Sequence, residues 1–174
     1  MNTIPTRPWI EKDGVIYFSV TSDGKSGPEW IAYLEKKGDQ VGDYAKQLFC
    51  YEIPYYRAFV PTSGVTYQVA VLKGMIFSDK DRVTKKIHKD AVQRKLVTPN
   101  AEIAFLIRDK FTDKEIEAMG LTWIITMHEP ITDFDGCSYL LYVSRYDDRR
   151  CLNAHREYSG SQWGREDGFA FVLG

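Results

Sequence analysis

The chain has few cysteines, little net charge and no long apolar run. Cys50, Cys137 and Cys151 lie far apart and form no CxxC pair. An odd, scattered set argues against a disulfide framework and against a zinc ribbon, and fits reduced thiols. The formal net charge is −1, so the chain as a whole gives no reason to bind nucleic acid or an acidic membrane surface. No apolar stretch reaches the roughly 18 residues of a membrane-spanning helix. The opening "MNTIPTRPWIEKDG" has no apolar core of a signal peptide, so a cytoplasmic location with no membrane partner is expected. There is no glycine-rich phosphate loop and no GxSxG elbow, hence no sequence support for nucleotide binding or for a serine hydrolase. No cofactor is expected.

What is present is ordinary globular composition: 174 residues, 44% hydrophobic and 27% charged, with a generous 14% aromatic. A chain of this length buries roughly two-thirds of its unfolded surface, so it needs no metal or disulfide to stay folded. No repeat, low-complexity tract or linker interrupts it, and residues 1–174 are expected to form a single globular domain.

Hydrophobic spacing gives the order of elements. Asp13-Gly14 between two apolar runs in "WIEKDGVIYFSVT" predicts an N-terminal hairpin. Pro28 opens a helix with Trp30, Ile31 and Leu34 on one face, ended by Gly38, and Asp43 can cap a second short helix. Residues 51–64 read as an irregular connection. The run 64–77 has strand-like β-branched content, yet Val65, Val69, Leu72 and Ile76 fit a helical stripe, and the reading leans to helix. Ser78 or Asp79 can cap a helix through residue 96 that turns Val83, Ile87 and Ala91 inward. "PNAEIAFLIRDKF" repeats apolar residues at helical spacing, and Thr112 with Glu115 forms a capping box. "LTWIITMHEPI" then predicts an internal strand, with Trp123, Ile125 and Met127 on one face and Ile124 and Thr126 on the other. "YLLYVSRY" and "GFAFVL" read as further strands, with a turn at Asp147-Asp148 after the first. The order predicts an α+β fold: an N-terminal hairpin, central helices and a C-terminal antiparallel or mixed sheet.

Several of these segments together, "RPWIEKDGVIYFSVTSDG", "PTSGVTYQVAVLKGMIF", "TPNAEIAFLIRDKFTDKEIEAMGLTWIITMHEPI" and "WGREDGFAF", resemble a family of uncharacterised bacterial proteins. The resemblance spans nearly the whole chain and is most specific at residues 98–131. In that family the residues after His-Glu-Pro read Asp-Ser-Asp-Gly, where this chain has Asp133-Phe134-Asp135-Gly136. A tryptophan precedes the leucine corresponding to Leu152, where this chain has Cys151. The resemblance implies a bacterial, soluble, single-domain protein and transfers no catalytic residue.

Four groups of residues are able to carry function. His128, Glu129, Asp133 and Asp135 supply the imidazole and carboxylates that a divalent metal or a general acid–base pair needs. Their spacing is not HExxH. On a strand the adjacent His128 and Glu129 point to opposite faces, and no distal glutamate completes a calcium loop. A strand end followed by an acidic turn, with no metal, is the reading preferred here. The second group is Lys80, Arg82, Lys85, Lys86, Lys89, Arg94 and Lys95, seven cations against three aspartates in residues 78–96. Followed by a turn and another helix, it resembles a helix–turn–helix in outline and could contact phosphates. The cations are spread around the helix, however, as on an ordinary solvated face. Third, Cys137 with His128 or His155 as base could form a thiol nucleophile. Fourth, aromatic residues cluster at Tyr51, Tyr55, Tyr56 and Phe59, and again at Tyr139, Tyr142, Tyr146, Tyr158 and Trp163. Exposed, such groups favour protein interfaces; buried, they cover the core of a small sheet. A binding module with a protein or nucleic-acid partner is therefore expected. A metal-assisted hydrolase using His128 and the Asp133/Asp135 turn is the alternative.

Overall fold

The computed structural model describes residues 7–50, 59–146, 149–158 and 160–174. One mixed sheet runs through all of it. Strand β1 (Ile10–Lys12) turns at Asp13 (φ 52°) and Gly14 (φ 76°) into β2 (Val15–Asp23). Two successive left-handed residues make the type I′ turn that matches the twist of a hairpin. Strand β2 pairs with β4 (Ser63–Lys73), and β4 with β10 (Asp167–Leu173). Strand β10 runs parallel to β6 (Trp123–Thr126), which pairs with β8 (Ser138–Tyr146) and through it with β9 (Arg149–Arg156). The two-residue β3 (Gln40–Val41) lies parallel to the start of β9. Two further short strands lie off this path: β5 (Leu96–Val97) on the end of β10 and β7 (Ile131–Thr132) on β8.

Both faces of the sheet are covered. Helices α1 (Gly27–Lys36), α2 (Asp43–Cys50), α4 (Glu102–Lys110) and α5 (Asp113–Ala118) pack on one face, with Trp30, Leu34, Ala45, Phe105 and Ile116 against Ile16, Val71, Ile124, Leu141 and Leu152. Among the described helices, α3 (Thr84–Gln93) is the one that packs on the other, placing Ile87 and Ala91 against Ala70, Leu72, Ile125 and Phe171. Capping boxes at Ser26/Glu29 and Thr112/Glu115 start α1 and α5 by satisfying first-turn N–H groups. The α+β class, the hairpin, the internal strand at 123–126 and its two-faced residue pattern are as the sequence predicts.

Three expectations need correction. Residues 64–77 are not helical: they form most of β4 and a 3-10 turn, Gly74–Ile76. Val69–Leu72 are buried on both faces of a central strand, and such a continuous apolar run imitates a helical stripe. The helix expected over 78–96 is only Thr84–Gln93, starting at Val83 without a side-chain cap. Arg82 is buried, and its guanidinium donates to the Gly74 (3.0 Å) and Phe77 (3.1 Å) carbonyls, which fixes the preceding residues in a tight turn. The helix–turn–helix outline fails because α3 and α4 lie on opposite faces of the sheet with β5 between them. The mixed sheet expected at the C-terminal end also takes in the N-terminal hairpin, because β10 is inserted between the N-terminal strands and β6.

Candidate binding cleft

The acidic segment is a locked corner. His128 follows the end of β6, only 2% exposed. Its Nε2 accepts the Leu141 N–H (3.0 Å), and its Nδ1 lies 2.7 Å from the Glu129 carbonyl. Nε2 as acceptor fixes the tautomer, so Nδ1 carries the proton and donates it. The imidazole thus occupies the place in the ladder that β6 vacates, giving Leu141 a partner beyond the Ile125↔Tyr142 pair. Burial lowers the His128 pKa to about 4, against the small opposing effect of the Glu129 carbonyl, so the ring is neutral near pH 7. Asp133 closes the next turn: its Oδ1 accepts the Asp135 (3.0 Å) and Cys137 (2.8 Å) N–H groups. Gly136 takes the left-handed conformation there (φ 78°). His128, Glu129, Asp133 and Asp135 are not brought together, and among the described residues no group of three or more His, Cys, Asp or Glu side chains could hold a metal ion. Both His128 nitrogens are engaged, so His128 is no base for Cys137, and His155 packs among Trp123, Tyr142 and Trp163. The other described thiol, Cys151, has its pKa raised by burial, the reverse of an activated nucleophile.

The basic segment divides. Arg82 is an internal turn clamp, Lys86 pairs with Asp81 (2.9 Å) and Arg94 with Asp90 (2.6 Å). Lys80, Lys85, Lys89 and Lys95 are exposed. They belong to the α3 segment, on the face away from the other helices.

The tyrosines converge elsewhere. A cleft of about 380 Å³ opens beside β9, lined by Tyr44, Tyr139, Tyr142 and Tyr158 together with Asn153, Ala154, His155 and Arg156. Its frame is the β8–β9 hairpin, and that hairpin is anchored from behind. Arg108 on α4 is 0% exposed, and its guanidinium donates to the Ser144 (3.0 Å), Cys151 (3.3 Å) and Phe111 (2.8 Å) carbonyls and to Asp113 (3.0 Å). Arg150 donates to the Arg108 carbonyl and pairs with Asp39 (3.0 Å). Burial raises the Asp39 pKa, with Arg150 opposing. This network ties α4, β3 and both hairpin strands together, so the cleft is built on rigid elements.

Asn153 joins the two walls. Its Oδ1 accepts the N–H of Ala45 on α2 (3.3 Å) and of Ala154 (2.8 Å). A side chain at Gly42 would strike Asn153, which explains the glycine just before α2. Tyr44 therefore stands over the cleft, stacked on Tyr139 with centroids 5.8 Å apart. It is 55% exposed, and Tyr158, under the Arg156 guanidinium at 4.9 Å, is 58% exposed. On the opposite wall Tyr142 stacks on Trp123 at 4.1 Å, and His155 packs against Trp163 at 5.1 Å.

Compared with known proteins, the chain matches no family model, no curated protein and no solved structure. Its chemistry must therefore be read from the cleft itself. Burial raises the pKa of Tyr139 and Tyr142, so both phenols stay protonated, and burial lowers that of His155, which stays neutral near pH 7. The cleft presents phenol faces, neutral hydrogen-bonding groups and one guanidinium. No helix among the described residues is long and apolar enough to cross a membrane.

Of the aromatic residues read from the sequence, Tyr139, Tyr142 and Tyr158 line this cleft, and Trp163 backs it. Phe59 instead packs into the core against Phe49 and Phe105. Tyr51, Tyr55 and Tyr56 lie outside the described residues, as does the expected turn at Asp147-Asp148, and the side chain of Tyr146 is likewise undescribed. Sequence reasoning missed Tyr44, Asn153 and Arg156 as cleft residues. The available signal was the alternation of Leu152 and Ala154 with Asn153 and His155, which marks a half-buried strand.

Proposed function

We propose that the protein acts by binding, with a protein as its partner, and that the cleft between α2 and the β8–β9 hairpin receives it. The observation behind this is the meeting of two largely exposed tyrosines with an aromatic-backed arginine on a rigid frame. Tyrosine and arginine dominate binding energy at protein interfaces, because they bring large contact area at small entropic cost. The neutral His155 and the locked His128 favour recognition over proton transfer. A cytoplasmic, bacterial setting belongs to the same proposal and is supported by the scattered cysteines and by the family resemblance. A nucleic-acid partner is less favoured, since Arg82, Lys86 and Arg94 have internal partners and the remaining lysines do not line the cleft. Short random peptides displayed on phage and selected on the wild-type protein test the proposal. The selected peptides should bind the Tyr44→Ala, Tyr158→Ala variant at least about tenfold more weakly. Equal affinity for both proteins would move the binding surface elsewhere.

A further inference from the structure

We infer that the segment received by the cleft carries an acidic side chain next to an aromatic one, the carboxylate meeting Arg156 and the ring meeting Tyr158 and Tyr44. This rests on the binding function proposed above and adds the chemistry of the partner.

Charge carries the first half. Among the described residues, Arg156 is the one formally charged side chain lining the cleft, and it has no ion-pair partner. Its guanidinium sits over the Tyr158 ring, 4.9 Å from the centroid, within cation–π reach. A guanidinium supported this way keeps its N–H edge for a planar acceptor, and a carboxylate matches that edge with two parallel hydrogen bonds. The nearby acids leave it unpaired. Asp133 holds its own turn and accepts from Tyr139, and Glu157, next to Arg156 in the chain, forms no ion pair with it among the described residues. The positive charge of Arg156 is thus left for a ligand.

The rings carry the second half. Tyr44 uses one face on Tyr139 and leaves the other outward, while Tyr158 is exposed beside Arg156. A ligand ring placed there would stack or meet an edge, as aromatic pairs prefer. A nucleic-acid strand would also offer rings and anions. It needs a row of cations along its backbone, whereas this cleft has one.

The test selects short random peptides on the full chain and, in parallel, on Arg156→Glu. Both proteins should fold alike, because the Arg156 side chain reaches outward from the end of β9; far-UV circular dichroism checks this. Wild type should return peptides with Asp or Glu beside Phe, Tyr or Trp, and Arg156→Glu should return Lys or Arg at that place. By fluorescence anisotropy, the acidic peptides should bind Arg156→Glu at least about tenfold more weakly and weaken on wild type as salt rises. The same motif from both proteins, or unchanged affinity for Arg156→Glu, overturns the inference. Peptides that lose affinity for Tyr44→Ala, Tyr158→Ala but not for Arg156→Glu overturn it while leaving the cleft as the binding surface. Peptides indifferent to both variants, or none selected at all, overturn the inference and the binding function together. Retention of random single-stranded DNA at low salt through Arg156, with no peptide selected, assigns the cleft to phosphate and overturns the inference as well.

Discussion

Residues 123–137 and residues 139–158 are neighbours in the sheet and opposites in character. The first stretch holds the imidazole and carboxylates that suggest chemistry, and its key atoms are taken. His128 bonds through both nitrogens, and Asp133 serves two backbone N–H groups. The second stretch holds tyrosines, an asparagine and arginines that suggest only surface, and it presents open rings and, among the described residues, a guanidinium without an ion-pair partner. What separates them is whether the polar atoms still have unspent valence once the chain is folded. Residue type alone does not reveal that.

The sharpest way to break the contrast is at His128. Replacement by Ala leaves the Leu141 N–H and the Glu129 carbonyl without their partner and opens a cavity in a fully buried place. The expected loss is about 3–5 kcal/mol in urea unfolding. A loss below about 1 kcal/mol would mean that the ring is not the lock described here.

Protonation probes the same residue without mutation. The folded-state pKa of about 4 lies below the ordinary 6.5, so between these values the unfolded chain binds the proton and the folded one does not. Stability is therefore complete above about pH 6.5 and falls as pH drops toward 4, by about 3 kcal/mol from this group. His88 and His155 are also depressed by burial and act in the same direction. Urea melts from about pH 7 to about pH 4.5 should show the fall, reduced in His128→Gln. A flat profile would contradict the neutral, buried ring.

A smaller effect separates the two aspartates of the turn. Asp133→Ala should cost about 1–2 kcal/mol in thermal melts, since two N–H groups lose their acceptor. Asp135→Ala, whose contribution to the turn is its backbone N–H, should cost under about 0.5 kcal/mol. The acidic turn was expected from the sequence; that Asp133 alone organises it was not. Equal costs would show that the exposed carboxylate does more than stand in water.

The smallest expected effect lies in the cleft. Tyr158→Ala should change stability by no more than about 0.5 kcal/mol, because the ring is mostly exposed. A larger loss would make the tyrosine a structural cover and erase the contrast.

The parts legible in the sequence were those set by local rules. The Asp13-Gly14 turn, the capping box at Thr112/Glu115 and the apolar faces of α1 and β6 follow from backbone preference and side-chain period. The parts that escaped depend on distant partners. Val69–Leu72 looked ambiguous because covering both faces of a strand erases its alternation. Arg82 and Arg108 looked like surface cations, and only the carbonyls they reach, at Gly74 and Phe77 or at Ser144 and Cys151, make them internal ties. The cleft escaped for the same reason. Tyr44 meets Tyr139 across 94 intervening positions of chain, and no local pattern brings them together.

The central place of β10 has a kinetic side. It is the last described strand along the chain, yet β4 and β6 meet only through it. During synthesis the earlier strands must wait as two unjoined pieces, β1–β2–β4 and β6–β8–β9, each with a bare apolar edge. Such edges invite pairing with other chains until β10 is made and fills the gap. The interval in which β4 and β6 exist without β10 is therefore the one most open to aggregation, whatever the stability of the finished core.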